Sequence, residues 1–271
     1  MTVTADRPAA RQRSPWRTVA LPTEHGGWGL TAEPVLLGLL VAFTWSGMAI
    51  GVAAFLAFLV RTPLKLALVD RRRGRSLERT VLAQRVAAGE LVTIATLAVA
   101  ATLIAGPAWL IPVAVAAPLI ATELWFDVRS RGRRLIPELC GSIGIAAVGA
   151  AIVAAGDGSN ALAIAVWLIV AGRALVAIPF VRTQIDRLRH GDSATTAADA
   201  FQAVGVALAI IAAFVDPDVV LGTVAVAALA VSQLVSLRRR HVPPATTIGI
   251  RQMVFGLAVV AATAAGVLVV R

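Results

Sequence analysis

The sequence predicts an all-α bundle of about nine helices that crosses a membrane repeatedly. Apolar residues make up 58% of its 271 residues, charged residues only 15%, and the mean hydropathy is +0.83. A soluble domain typically holds ~45–50% apolar and ~25% charged residues, so an ordinary cytosolic enzyme is not expected, and a disordered chain is excluded. Long apolar runs recur along the chain. Because helices satisfy their own backbone polar groups, such runs predict a polytopic helical bundle.

Nine apolar segments are candidate membrane spans, each near the roughly 20 residues that a bilayer core of about 30 Å requires. They cover residues 30–44, 48–69, 89–105, 108–126, 138–155, 161–181, 200–215, 218–236 and 250–270. The first is short and contains Glu33 and Pro34, and the second contains Pro63. Residues 1–20 are basic and lack an apolar core, which predicts a disordered cytoplasmic tail before a single transmembrane domain of residues 21–271.

The connectors between the spans predict the orientation in the membrane. Those after spans 1, 3, 5 and 7 are short and lack Lys and Arg, whereas those after spans 2, 4, 6 and 8 are rich in Arg. The positive-inside rule puts the Arg-rich side in the cytoplasm, so the N-terminus is inside and the C-terminus outside. Most of the net charge of +10 is therefore a topology signal. Nucleic acid is not expected as a partner, because the Arg clusters lie against the membrane without a recognition element.

Charged residues within the spans are candidate functional residues, because charge is costly inside a membrane. Most lie toward the cytoplasmic side, which predicts a polar pocket that opens to the cytoplasm or the inner leaflet. Arg61 and Lys65 are i,i+4 neighbours of like charge in span 2, which favours an anion between them; headgroup binding by a basic helix end is the alternative. Arg173 is the deepest charge, and Arg182 can pair with Asp186 on one helix face.

Glu24 and His25 precede span 1 in a glycine-rich segment. His titrates near neutral pH, and Glu24 could orient it, so the pair is a candidate acid/base; an interfacial turn is the alternative. Cys140 is the only cysteine, and no HExxH, CxxC or Walker A pattern occurs. The sequence therefore predicts no metal and no cofactor.

Four segments resemble known families. Residues 60–76 (VRTPLKLALVDRRRGRS) and 181–191 (VRTQIDRLRHG) share VRT, an Asp-Arg step and a Gly, and residues 126–149 (FDVRSRGRRLIPELCGSIGIAAVG) follow span 4. With nine spans, these segments resemble the UbiA superfamily of intramembrane prenyltransferases. More narrowly, residues 22–29 (PTEHGGWG) resemble the opening signature of the YwiC-like family of bacterial membrane proteins. The resemblance implies a UbiA-like fold in a bacterial inner membrane.

The chain departs from the prenyltransferase pattern at the carboxylates that hold Mg²⁺ in that family. Only Asp70 remains of the first motif and only Asp186 of the second, where Arg182 stands in place of the first Asp. Mg²⁺ prefers several hard oxygen ligands, so it is disfavoured, and Arg contacts a phosphate directly through bidentate hydrogen bonds. The predicted catalytic residues are Glu24, His25, Asp70 and Asp186, and the predicted substrate-binding residues are Arg61, Lys65, Arg129, Arg173 and Arg182.

Two functions follow from these residues. The first is binding of an isoprenoid or other lipid phosphate in a basic cytoplasmic-side pocket, with a non-standard or lost transferase activity. The alternative is a carrier of an anionic lipid or small anion. Membrane lipids are the expected partners in both cases, and whether the protein is an enzyme stays open.

Overall fold

The computed structural model describes residues 19, 25–129, 132, 134–191 and 193–270. Within them the chain forms nine α-helices and one 3₁₀ turn, Pro217–Val219. The helices are α1 His25–Val41, α2 Trp45–Arg72, α3 Glu78–Ala105, α4 Leu110–Val128, α5 Leu135–Ala155, α6 Asn160–His190, α7 Thr196–Val215, α8 Val220–Leu237 and α9 Ala245–Val270.

Eight of these helices are long and apolar enough to cross a membrane, α8 being counted together with the 3₁₀ turn before it. The ninth, α1, is an apolar helix of 17 residues and is shorter than the rest. The predicted fold class is therefore confirmed: the protein is a multi-pass membrane protein built as an α-helical bundle.

Two helices extend well beyond the predicted spans. Helix α3 begins at Glu78 and not at residue 89, and α6 ends at His190 and not at residue 181. The hydropathy pattern marks only the part of a helix that lies in the bilayer. Charged residues such as Arg79 and Arg187 continue the backbone hydrogen-bond ladder outside it, so part of the Arg-rich connectors is helical.

Helices α5 and α6 lie at the centre of the bundle, where 67% and 72% of their apolar windows are buried. Helix α1 packs against α5 and α9, α6 packs against α7, and α3 packs mainly against α2. The α6 and α7 backbones come close at Gly172 and Gly205, where a Cβ on Gly172 would lie 2.7 Å from the Gly205 carbonyl oxygen. Small residues thus permit a close contact between α6 and α7.

The two ends of the bundle differ in chemistry. We call one end of the bundle the basic end. Helices α2, α4, α6 and α8 finish there, and the Arg-rich connectors follow them. Toward the opposite end the described core consists mainly of apolar side chains, such as Ile152, Leu162, Val166 and Val267. Polar chemistry is therefore concentrated in the half of the bundle near the basic end.

Candidate functional site

Arg61 and Lys65 on α2 bind carboxylates of α4. Arg61 Nε lies 2.8 Å from Asp127 Oδ2, Lys65 Nζ lies 3.0 Å from Asp127 Oδ1, and Arg61 Nη1 lies 2.8 Å from Glu123 Oε1. The Asp127 side chain is fully buried. An anion does lie between the two like charges, as the spacing predicts, but it is a carboxylate of the protein. Their role in substrate binding stays a prediction.

Arg182 and Asp186 have partners on different elements. Arg182 Nη1 donates to Glu138 Oε2 of α5 at 2.8 Å, and Asp186 Oδ1 lies 2.9 Å from His190 Nδ1 one turn later on α6. The carboxylates of Glu123, Asp127 and Glu138 thus match the three cations Arg61, Lys65 and Arg182 in number. The expected excess of positive charge between α2 and α6 is balanced by these side chains.

Asp70 closes the turn between α2 and α3. Its buried carboxylate accepts a hydrogen bond from Thr80 Oγ1 at 2.7 Å and lies 3.7 Å from Arg79 Nη2. Its carbonyl oxygen also accepts from the backbone N–H groups of Arg73 and Arg75. These contacts connect the end of α2 to the start of α3. The catalytic role of Asp70 stays a prediction.

The other predicted residues near the basic end are only partly described. Glu24 lies outside the described residues, as do residues 1–18 of the predicted tail. His25 begins α1, but its side chain is not described. The Arg129 guanidinium lies over the Trp125 ring, 3.2 Å from its centroid, which is a cation–π contact.

A buried ion pair joins α1, α6 and α9. Arg173 Nη2 lies 2.8 Å from Glu33 Oε1, and each side chain is only 5% exposed. The same Arg173 nitrogen donates to the Gln252 carbonyl oxygen at 2.8 Å. Gly256 of α9 makes room for the pair, since a Cβ there would lie 2.7 Å from Arg173 Nη2. Of the predicted substrate-binding residues, Arg173 is thus the one most enclosed by the bundle.

Each of the last four helices carries one glutamine, and all four are buried or nearly so. We call Gln184, Gln202, Gln233 and Gln252 the glutamine cluster. Gln202 Nε2 donates to Gln233 Oε1 at 3.0 Å and to the Val176 carbonyl at 3.1 Å, and Gln233 Nε2 donates to Gln252 Oε1 at 3.3 Å. Through Gln252 and Arg173, this hydrogen-bonded chain reaches Glu33. The polar interior therefore continues across α7, α8, α9, α6 and α1.

A cavity of about 330 Å³ opens beside the glutamine cluster, among α6, α8, α9 and the connector before α9. Gln184, Gln233 and Gln252 line its inner part, and Arg239 and Arg251 lie on exposed positions at its rim. Its remaining walls are Phe180, Ser232, Val235, Ser236, Pro243, Ile248 and Phe255. The cavity thus combines an apolar wall, uncharged amides and two guanidinium groups.

The charges at the rim are available for an anion. In the described part of the chain, Arg239 and Arg251 form no ion pair, whereas the neighbouring Arg238 pairs with Asp199 at 3.0 Å. Arg187 donates to the carbonyl oxygens of Leu237 and Arg239, which fixes the end of α8. Asp and Glu are absent from the residues that line the cavity. The site therefore favours a ligand that joins an anionic group to an apolar part.

Charged residues and sequence motifs do not indicate this cavity, because most of the residues that line it are uncharged and belong to none of the motifs. Among the lining residues, only Arg251 carries charge within a predicted span. The available signal was one glutamine in each of the last three predicted spans and Gln184 three residues after span 6. An amide in a membrane helix prefers a partner on another helix, so the four glutamines point inward.

Of the comparisons with known proteins, the one that found a match places it in the first half of the chain. Residues 21–153 match the model of the family described as YwiC-like protein. Over most of its first five helices the chain is therefore similar to this family. Comparisons with curated proteins and with solved structures found no match. The YwiC-like resemblance predicted from residues 22–29 is thus confirmed, and the UbiA resemblance stays one of sequence pattern.

The YwiC-like segment contains the ion pairs of α2 and α4 and also Glu33. The cavity and the glutamine cluster lie beyond it, on α6 to α9. Glu33 connects the two regions through its ion pair with Arg173. Among the described residues, no group of three or more His, Cys, Asp and Glu is close enough to hold a metal ion.

Proposed function

We propose that this YwiC-like membrane protein binds the phosphate headgroup of an isoprenoid or other lipid phosphate. The observation that carries the proposal is the cavity at the basic end, where Arg239 and Arg251 flank a wall that includes Phe180 and Phe255. Arg is suited to direct phosphate binding because its guanidinium forms paired, charge-assisted hydrogen bonds. Metal is not required for such binding.

The size of the cavity supports a headgroup site. A volume of about 330 Å³ is at the lower end of the ~300–1,000 Å³ of ligand pockets, so a long chain would have to lie outside it. Val235 lines the cavity and is half exposed, and Ile250 and Val254 on α9 are exposed apolar residues. The hydrocarbon part of the ligand would therefore remain along the lipid-facing surface.

The positive-inside rule supports a cytoplasmic location for this site. The cavity lies at the basic end, with Arg238, Arg239 and Arg240 directly after α8. We therefore propose an inner-membrane protein that takes its ligand from the cytoplasmic leaflet. The carrier alternative would need a polar path through the opposite half, where the described core is mainly apolar, so binding is the better supported function.

The experiment uses the full chain purified in a neutral detergent and measures binding of short-chain lipid phosphates, with EDTA present. We expect Arg251→Gln and Arg239→Gln each to weaken binding about tenfold or more, because a charge-assisted hydrogen bond contributes about 1.5–3 kcal/mol. Arg240→Gln is the matched control, since Arg240 is exposed at the same end and does not line the cavity.

Three outcomes would contradict the proposal. Absence of lipid-phosphate binding by the wild-type protein would reject the headgroup site. Equal binding of inorganic phosphate and of lipid phosphate would instead favour the small-anion alternative. Equal effects of the Arg240→Gln control and the rim variants would assign the affinity to general surface charge.

A further inference from the structure

One side-chain amide in the wall of the cavity has an oxygen without a partner in the described part of the chain. The Gln184 side chain is about 1% exposed, and its Oε1 atom is buried without a hydrogen bond in the described part of the chain. Gln184 also lines the cavity. A buried acceptor without a donor is unfavourable, so such groups are usually satisfied by a bound molecule.

The rest of the glutamine cluster does not supply that donor. The Gln202 amide nitrogen donates to Gln233 Oε1 and to the Val176 carbonyl oxygen. The Gln233 amide nitrogen donates to Gln252 Oε1. Gln252 is held in addition by Arg173, which binds its carbonyl oxygen. In the described part of the chain, the side-chain oxygens of Gln184 and Gln202 are both buried without a partner, and of these two residues only Gln184 lines the cavity.

The charge around the cavity selects the kind of donor. An ammonium group could satisfy Gln184 Oε1, but it would lie in a cavity lined by Arg239 and Arg251 and by no carboxylate. Like charges disfavour that arrangement. A hydroxyl group is uncharged, donates to the amide oxygen and accepts from the amide nitrogen. A headgroup with a hydroxyl beyond its phosphate therefore fits the inner amide and the basic rim together.

We infer that Gln184 makes the cavity selective for a phosphate headgroup that carries a hydroxyl group, of the glycerol or sugar type. The inference rests on the proposed function, because the phosphate is held by Arg239 and Arg251. The hydroxyl-bearing part points inward to Gln184, and the hydrocarbon part stays outside. Gln184 is thus a specificity-determining residue, separate from the charges that provide most of the affinity.

The test compares three dioctanoyl lipids on the full chain in neutral detergent: phosphatidylglycerol, phosphatidic acid and phosphatidylethanolamine. We expect wild-type protein to bind phosphatidylglycerol more tightly than phosphatidylethanolamine. Gln184→Met keeps the length of the side chain and removes its amide, so it should weaken phosphatidylglycerol binding about fivefold. Phosphatidic acid has no further hydroxyl group, and its affinity should change less than twofold.

Gln202→Met is the matched control, because Gln202 is equally buried and does not line the cavity. Gln184→Asn, which keeps an amide but shortens its reach, should reproduce the selective loss if Gln184→Met does not fold. Equal weakening of both lipids, or of neither, by the Gln184 variants would overturn the inference and leave the proposed function intact. If Arg251→Gln does not weaken the binding of either phospholipid, the proposed function itself is rejected.

Free glycerol phosphate separates a lipid from a soluble source of the same headgroup. We expect it to compete with phosphatidylglycerol only at much higher concentration, since it lacks the hydrocarbon part that lies along the apolar surface. Competition at equal concentration would overturn the assignment to a lipid headgroup.

Discussion

The Glu33–Arg173 pair places two opposite charges inside an apolar bundle. Both side chains are about 95% buried, and the Arg173 Nε atom has no hydrogen-bond partner among the described residues. A buried pair of this kind often adds little net stability over apolar residues, but loss of one partner leaves a charge with no compensation. The pair also holds Gln252 at the inner wall of the cavity.

We therefore expect Glu33→Leu to destabilise the protein by about 3–5 kcal/mol, because Arg173 is left charged in the interior. The double variant Glu33→Leu/Arg173→Leu should recover most of that loss. Thermal denaturation of the purified protein in detergent measures both effects.

Asp199→Asn is the control for this experiment. Asp199 pairs with Arg238 at an exposed site, so its loss should cost no more than about 1 kcal/mol. A double variant as unstable as Glu33→Leu would contradict this account, because the loss would then not come from the charge left on Arg173.

At the scale of the helices, the close approach of α6 and α7 depends on two glycines. A Cβ on Gly172 would lie 2.7 Å from the Gly205 carbonyl, and one on Gly205 would lie 2.6 Å from the Gly172 carbonyl. Backbone atoms cannot move aside as a side-chain tip can. The crossing also positions α7, whose Gln202 starts the hydrogen-bonded chain through the glutamine cluster.

We expect Gly172→Ala to lower the denaturation temperature, because the two helices must separate and lose contacts along their length. The loss should amount to about 1–3 kcal/mol, which is typical of overpacking. Gly89→Ala on α3 is the control, since a Cβ there has nothing within 4 Å. That change should be neutral or slightly stabilising, given the higher helix propensity of Ala. Equal changes in denaturation temperature for the two variants would show that the close contact of α6 and α7 does not depend on Gly172.

At the scale of the whole molecule, the asymmetry of charge along the membrane normal defines one orientation. Basic residues gather at the end where α2, α4, α6 and α8 finish, and the short connectors at the opposite end lack Lys and Arg. The positive-inside rule predicts that the basic end faces the cytoplasm. The cavity and the glutamine cluster would then face the cytoplasmic leaflet.

Cysteine labelling of intact cells tests this orientation in a Cys140→Ala background. We expect Asn160→Cys, at the start of α6, to react with a membrane-impermeant thiol reagent. Ser76→Cys, in the connector after α2, should react only after the membrane is opened. Both positions are exposed in the structure. The reverse pattern would place the cavity on the outer side and reject the proposed source of the ligand.

The sequence predicted the helical class and most of the spans, because the bilayer imposes apolar runs of a fixed minimum length. It did not predict how far α3 and α6 extend, since helix outside the bilayer has ordinary polar composition. Arg61, Lys65 and Arg182 each contact a carboxylate in the structure. Their spacing along single helices could not show that carboxylates on α4 and α5 meet them.

The sequence by itself determined that this is a multi-pass helical membrane protein with one basic end, and it pointed to the YwiC-like family that residues 21–153 match. These properties depend on composition, on run length and on a local motif. Only the tertiary structure decided which charges are compensated and where a cavity remains. Partners such as Glu33 and Arg173, or Gln233 and Gln252, come from different helices, so their pairing depends on how the helices pack and cannot be deduced from spacing along one of them.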